Sequence, residues 1–199
     1  FIEYDASGMQ TNHWYHLAAT WDGTRESMQL YVDGEPVGVR TDIANINTGI
    51  TDPSGSFRMG QWAEPANNRY FSGTIDEVRV WSVERTNTEL IQSRFRVPPA
   101  TTGLIAWYNM DETSGTTITN LTPNAGLDGT LINGPTRVLS PAQYASNAID
   151  IDGADDYITI PANPAYDVAT GTVEFWARPN ALAVGNNMCM LGVRGTGGS

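Results

Sequence analysis

The sequence predicts an all-β protein: two antiparallel sheets packed as a sandwich, with one short helix. Three observations predict it. Short segments alternating apolar and polar residues recur along the chain, separated by clusters of Gly, Pro, Asn and Asp. SMQLYVDGEPVGV, Ser27 to Val39, reads as a hairpin, since Asp33-Gly34 supplies the positive φ angles of a tight turn. GTVEFWARP, Gly171 to Pro179, carries apolar residues on both faces and is expected to lie centrally in a sheet.

Composition bounds the function. The chain has 199 residues, 40% of them hydrophobic and 10% aromatic, enough to fill the core of one large β domain. Asp and Glu number 22 against 11 basic residues, giving a formal net charge of -11, so nucleic acid and anionic membrane surfaces are poor partners and cations good ones. All the basic residues are arginine. No apolar run approaches the length of a membrane span, so membrane insertion is not expected. The single cysteine, Cys189, sits among Met188, Met190 and Leu191, which predicts a buried thiol. The chain starts without methionine in a strand-like segment, as expected of an excerpt from a longer or processed polypeptide.

Taken in order, FIEYD (1–5) reads as a short strand and HWYHLAATWDG (13–23) as a longer one ending in an Asp-Gly turn. The Ser27 to Val39 hairpin follows, then a polar loop over 41–55, and FRMGQWA (57–63) as the next strand. A strand from Tyr70 to Trp81 comes after the loop EPANNR. The one helix signal begins at Thr86, a capping residue with Glu89 three positions on and Leu90 and Ile91 to bury. RVPPATTG (96–103) is a Pro-rich connector. Beyond it, GLIAWYNMDE (103–112) reads as a strand ending in an acidic turn, and 113–147 as mostly loop with a strand near 129–132. AIDIDGADDYITIP (148–161) is two strands around a Gly-Ala-Asp turn, GTVEFWARP is the central strand, and one further strand precedes the glycine-rich tail.

The chain is organised around GTIDEVRVWSVERT, Gly73 to Thr86. Period two puts Asp76, Val78 and Val80 on one face and Ile75, Glu77, Arg79 and Trp81 on the other. A carboxylate on a valine face must be paired, protonated or bound to a cation. The candidate partners are the acidic residues of IDIDGADDY (149–157).

WYHLAATWDG, LYVDGEPVG and FSGTIDEVRVWSVERTNTEL together resemble the closing half of a laminin G-like, concanavalin A-type jelly-roll domain. GLIAWYNMDETSG, AIDIDGADDYITIP and GTVEFWARP resemble the opening half of the same domain type. The order is reversed relative to the family, as if the chain joined the end of one repeat to the start of the next. The expected organisation is residues 1–95 as the C-terminal half of a repeat, 96–103 as connector and 104–199 as the N-terminal half of the next. The halves can close on each other or pair with neighbouring copies. The eight-residue connector, 96–103, reaches roughly 26 Å when extended.

The resemblance implies a structural calcium ion, held by Asp76 with Asp152, Asp155 or Asp156 and a backbone carbonyl near Gly153. Calcium suits such a set, being a hard cation that takes several oxygens at about 2.3–2.6 Å. An ordinary solvated turn is the alternative. Catalysis is not expected. Related jelly rolls include glycan hydrolases, whose chemistry uses two carboxylates facing one cleft, about 5–9 Å apart. Glu174 stands alone in its strand, and His13 and His16 flank Trp14 with no nucleophile motif nearby. Trp62, Asn67, Asn68, Arg69 and Tyr70 cluster around one loop and make a candidate polysaccharide site, since sugars stack on aromatic rings and hydrogen-bond to amides and guanidinium groups. Trp21, Trp81 and Trp176 are expected in the core, and Asn120 to Thr122 has the form of a glycosylation acceptor. The function these readings favour is a non-catalytic, calcium-stabilised extracellular or cell-surface repeat for adhesion or structural assembly. A carbohydrate-binding module of a secreted enzyme is the alternative.

Overall fold

The computed structural model describes residues 8–40, 55–62, 69–95, 101–140, 147–182 and 191–193. The strands Tyr15–Asp22 (β1), Ser27–Val32 (β2), Glu35–Arg40 (β3), Ser72–Trp81 (β7), Thr136–Val138 (β11), Ala148–Asp152 (β12) and Thr170–Pro179 (β14) form one antiparallel sheet. Its order is β11-β12-β7-β14-β1-β2-β3, and Leu104–Tyr108 (β8) pairs with β7 as well. The smaller sheet has the order β15-β4-β13-β10-β9, from Leu191–Val193 (β15), Phe57–Met59 (β4), Tyr157–Ile160 (β13), Gly129–Ile132 (β10) and Thr117–Ile118 (β9). Gln61–Trp62 (β5) and Arg69–Tyr70 (β6) make a separate two-stranded ribbon. The core lies between the two main sheets, with Ile75, Val78, Val80, Ile149 and Phe175 of one against Phe57, Met59, Ile118, Leu131, Ile158 and Ile160 of the other.

Local sequence explains several elements. Asp33 (φ 54°) and Gly34 (φ 86°) both adopt the left-handed conformation that a tight β2–β3 turn needs. The predicted helix is Asn87–Ser93 (α1), and its capping box is complete: the Thr86 side chain accepts from the Glu89 backbone N–H, and the Glu89 carboxylate accepts from Thr86 N–H. β14 is central, flanked by β1 and β7, as its two apolar faces require. The predicted strand at 57–63 is broken into β4 and β5 by Gly60, whose φ of 86° turns the chain. The predicted 1–5 strand and Cys189 lie outside the described residues.

β7 departs from strict alternation. Arg79 pairs with Glu174 and Asp76 with Trp176, so one intervening residue of β14, Phe175, faces two of β7, Glu77 and Val78. Glu77, at φ 53°, is the extra residue of a bulge. The bulge reverses the side-chain alternation. Ile75, Val78 and Val80 all reach the inter-sheet core, and Asp76 does not share the valine face, contrary to the period-two reading. It joins the opposite face, in one rank with Trp176 and His16.

α1 packs against that outer face. Arg79 Nη1 donates to the Ser93 carbonyl (3.0 Å), Arg85 Nη2 to Ser93 Oγ (3.2 Å) and Trp176 Nε1 to the Arg94 carbonyl (2.8 Å). Trp81 and Trp176 are buried as expected, but in this layer beneath the helix and not between the sheets. Trp81 Nε1 donates to Glu174 Oε1 (2.9 Å), while the Arg85 guanidinium lies 4.2 Å from the Trp81 ring centroid.

Candidate functional site

One edge of β7 changes partner along its length. β12 pairs with residues 72–75 and β8 with 78–81, leaving Asp76 and Glu77 at the switch. Asp76 is fully buried there. Its Oδ2 accepts from the Ser140 hydroxyl (2.6 Å) and its Oδ1 from the Glu77 backbone N–H (2.8 Å). Burial pushes the carboxyl up to about 8, against the Ser140 hydrogen bond, with the charges of Glu77 and Asp111 acting in the same direction as burial. Asp111 comes from the chain just beyond β8, where Asn147, just ahead of β12, donates its backbone N–H to Asp111 Oδ1 (3.2 Å) and its side-chain amide to the Asp111 carbonyl (3.2 Å). Glu77 is turned elsewhere: its Oε2 accepts from Arg79 Nη2 (2.7 Å) and Trp107 Nε1 (2.9 Å).

The structure does not bring Asp76 to the acidic turn. Asp152 is paired with Ser72, and the antiparallel register carries the turn away from Asp76. The four-residue offset is about 13 Å along the strand at 3.3 Å per residue. Asp152, Asp155 and Asp156 do come together, with carboxylate oxygens all within 4.8 Å of one another. Asp152 Oδ1 accepts from Ala154 N–H (2.7 Å), and Asp156 Oδ2 accepts from Asp152 N–H (3.3 Å). Burial, followed by the neighbouring carboxylates of Asp152, Asp155 and Asp150, holds Asp156 above the usual carboxylate range. Gly153 (φ 84°) makes the bend, and a Cβ there would meet the Ser72 Cβ at 2.7 Å.

Of the predicted sugar-binding cluster, Trp62 and Arg69 are cross-strand partners in the β5–β6 ribbon, and Tyr70 OH accepts from Gln61 Nε2 (3.0 Å). Asn67 and Asn68 lie outside the described residues. Gln61 Oε1 in turn accepts from Arg58 Nη1, so the base of this ribbon is joined to the outer face of the smaller sheet. Sequence reasoning passed over Arg58 and Tyr157. The pattern in FRM, Phe57 and Met59 inward with Arg58 outward, carries that signal. It also passed over Asp111, which only the β8–β12 junction places near Asp76.

Other candidates are occupied structurally. Glu174 is fully buried, with His16 Nε2 3.2 Å from its Oε2. Burial is the strongest single influence on it and raises its pKa. The His16 hydrogen bond and the charges of His16, Arg79 and Arg85 outweigh burial and hold it below the usual range. His13 is exposed and packs its ring on Tyr15. The Asn120 amide donates to Thr122 Oγ1 and the Asn124 carbonyl (both 2.9 Å), and its Oδ1 accepts from the Trp107 N–H (3.1 Å). A buried amide so engaged is not presented for glycosylation in the folded chain.

A laminin G-like family model, described as the concanavalin A-like lectin/glucanases superfamily, matches residues 4–91. The match covers less than half of the chain, and residues 4–91 are similar to that superfamily. The match ends within α1, and strands from beyond residue 103 complete the lectin/glucanase-type sandwich on both edges of β7. The superfamily description covers both lectins and glucanases. No curated protein and no solved structure matches the chain. Among the described residues no helix is long and apolar enough to cross a membrane.

Proposed function

We propose that this chain is a non-catalytic extracellular module for adhesion or structural assembly, a permuted jelly roll in which residues 1–95 and 104–199 are complementary halves that close on each other. The observation that carries this reading is the surrounding of β7 by β12, β8 and β14, all from beyond the connector. The Gly103 carbonyl accepts from Ser82 N–H (2.7 Å), so β8 starts where β7 ends. Burial and engagement of Glu174 support the absence of catalysis.

Calcium is proposed to stabilise the join at Asp76 and Asp111. A buried carboxyl pushed up to about 8, with a second carboxyl close by, is a donor set that a hard cation would neutralise. Asp152, Asp155 and Asp156, with the Gly153 carbonyl, form a separate and more exposed candidate set.

Light scattering and thermal melting, in calcium and after chelation, test the reading. A monomer of 21.6 kDa whose Tm falls on chelation is expected. Asp76→Asn should abolish that fall, whereas Asp152→Asn should leave it. Oligomers that grow with concentration would mean that halves pair between copies. A Tm indifferent to chelation would remove calcium from the join.

A second reading, a carbohydrate-binding module of a secreted enzyme, is favoured by the polar outer face of the smaller sheet, where Arg58 lies over the Tyr157 ring.

A further inference from the structure

The outer face of the smaller sheet carries a cross-strand rank of hydroxyls ending in a guanidinium. Thr117 pairs with Thr130, Thr130 with Thr159 and Thr159 with Arg58. Phe57, Met59, Ile118, Leu131, Ile158 and Ile160 alternate with them and fill the core, so the rank faces outward. Thr117 and Thr130 are exposed, and Thr159 and Arg58 half-buried. With adjacent strands about 4.8 Å apart, the rank extends roughly 14 Å.

Arg58 is held in place. Its Nε donates to Ser56 Oγ (3.2 Å), its Nη1 donates to Gln61 Oε1, and its Cζ lies 5.0 Å from the Tyr157 ring centroid. Each of these partners is neutral. Among the described residues no carboxylate pairs with Arg58, whereas Arg25, Arg79, Arg85 and Arg137 each have one. An oriented guanidinium without a counter-charge is a ready partner for a planar carboxylate, because its fork geometry matches two oxygens at once.

We propose that this face binds a glycan bearing uronic acid residues, with Arg58 taking the carboxylate and the Thr117, Thr130 and Thr159 hydroxyls meeting the hydroxyls of the neighbouring sugars. The inference rests on the carbohydrate-binding reading and deepens it. A hydroxyl-lined rank offers hydrogen bonds along a sugar chain. The net charge of -11 repels densely charged polyanions, so the ligand class is one whose uronates are spaced among neutral sugars.

Native affinity electrophoresis in chelator tests this, using glucuronoxylan and partly methyl-esterified pectin, each beside the same polymer after reduction of its carboxyl groups. Retardation by at least one uronate polymer, lost on carboxyl reduction, is expected. Arg58→Met should weaken it by about tenfold or more in Kd, the scale of a lost charge-assisted hydrogen-bond pair, and Arg58→Lys by less. Thr130→Val, an exposed and nearly isosteric change, should also weaken it, and melting curves confirm that each variant is folded. Equal retardation by native and reduced polymers, or retardation untouched by Arg58→Met, overturns the role of Arg58 while leaving glycan binding standing. Binding that requires calcium and survives Arg58→Met would place the uronate on a bound cation and likewise overturns it. No retardation by any polymer overturns both readings.

Discussion

Glu174 and Asp76 show how differently one sheet face treats two buried carboxyls. Glu174 faces His16, Arg79 and Arg85, and the balance of burial against those partners holds its pKa below the usual range. The unfolded chain therefore takes up a proton before the folded one as pH falls. The stabilisation from Glu174 is fully present above the unfolded carboxylate pKa and is lost as pH drops through the lower folded value. Urea melts between pH 3 and 7 should show this loss, and Glu174→Gln should flatten it. At neutral pH the same substitution should cost about 3–5 kcal/mol, since it removes one partner of a buried pair. Unchanged stability in the variant would mean that the His16 contact contributes nothing. Asp76 is pushed the opposite way, chiefly by burial, to about 8.

At the scale of elements, legibility follows the range of the forces involved. The α1 capping box and the Asp33-Gly34 turn are local, within four residues of chain, and both are found as read. Thr86→Ala should cost about 1 kcal/mol, measured by urea denaturation. Loosening should be reported by Trp81 and Trp176 fluorescence, because α1 covers the layer in which both indoles are buried. A fluorescence change that runs ahead of global unfolding is expected, and strictly coincident transitions would show that α1 does not open separately. The bulge at Glu77 is not local in the same sense. Nothing in TIDEVRV breaks alternation. The extra residue lies where β7 leaves β12 for β8, and its register with β14 shifts by one residue there. That single residue moves Asp76 from the valine face to the helix-covered face.

For the whole molecule, interleaving of the two segments around β7 makes each incomplete alone. Separately produced 1–95 and 104–199 fragments should each lack stable tertiary structure and should recover near-UV circular dichroism on mixing as a one-to-one complex. Two fragments that each fold alone would contradict complementarity of the halves. The superfamily match over residues 4–91 reports only one of these segments, and strand pairing supplies the rest of the sandwich.

The sequence by itself determined the all-β class, the hairpin, the capped helix, the central place of GTVEFWARP and the burial of Asp76, because periodicity, turn chemistry and side-chain polarity act over a few residues. The grouping of Asp152, Asp155 and Asp156 follows from one tight turn and was equally legible. Only the tertiary structure decided that this turn and Asp76 are separate, that Asp111 is the neighbour of Asp76, and that Arg58 ends a rank of threonines. Those facts depend on which strands pair and in what register. Register is set by the collective fit of two sheets around one core, and no short stretch of chain encodes it.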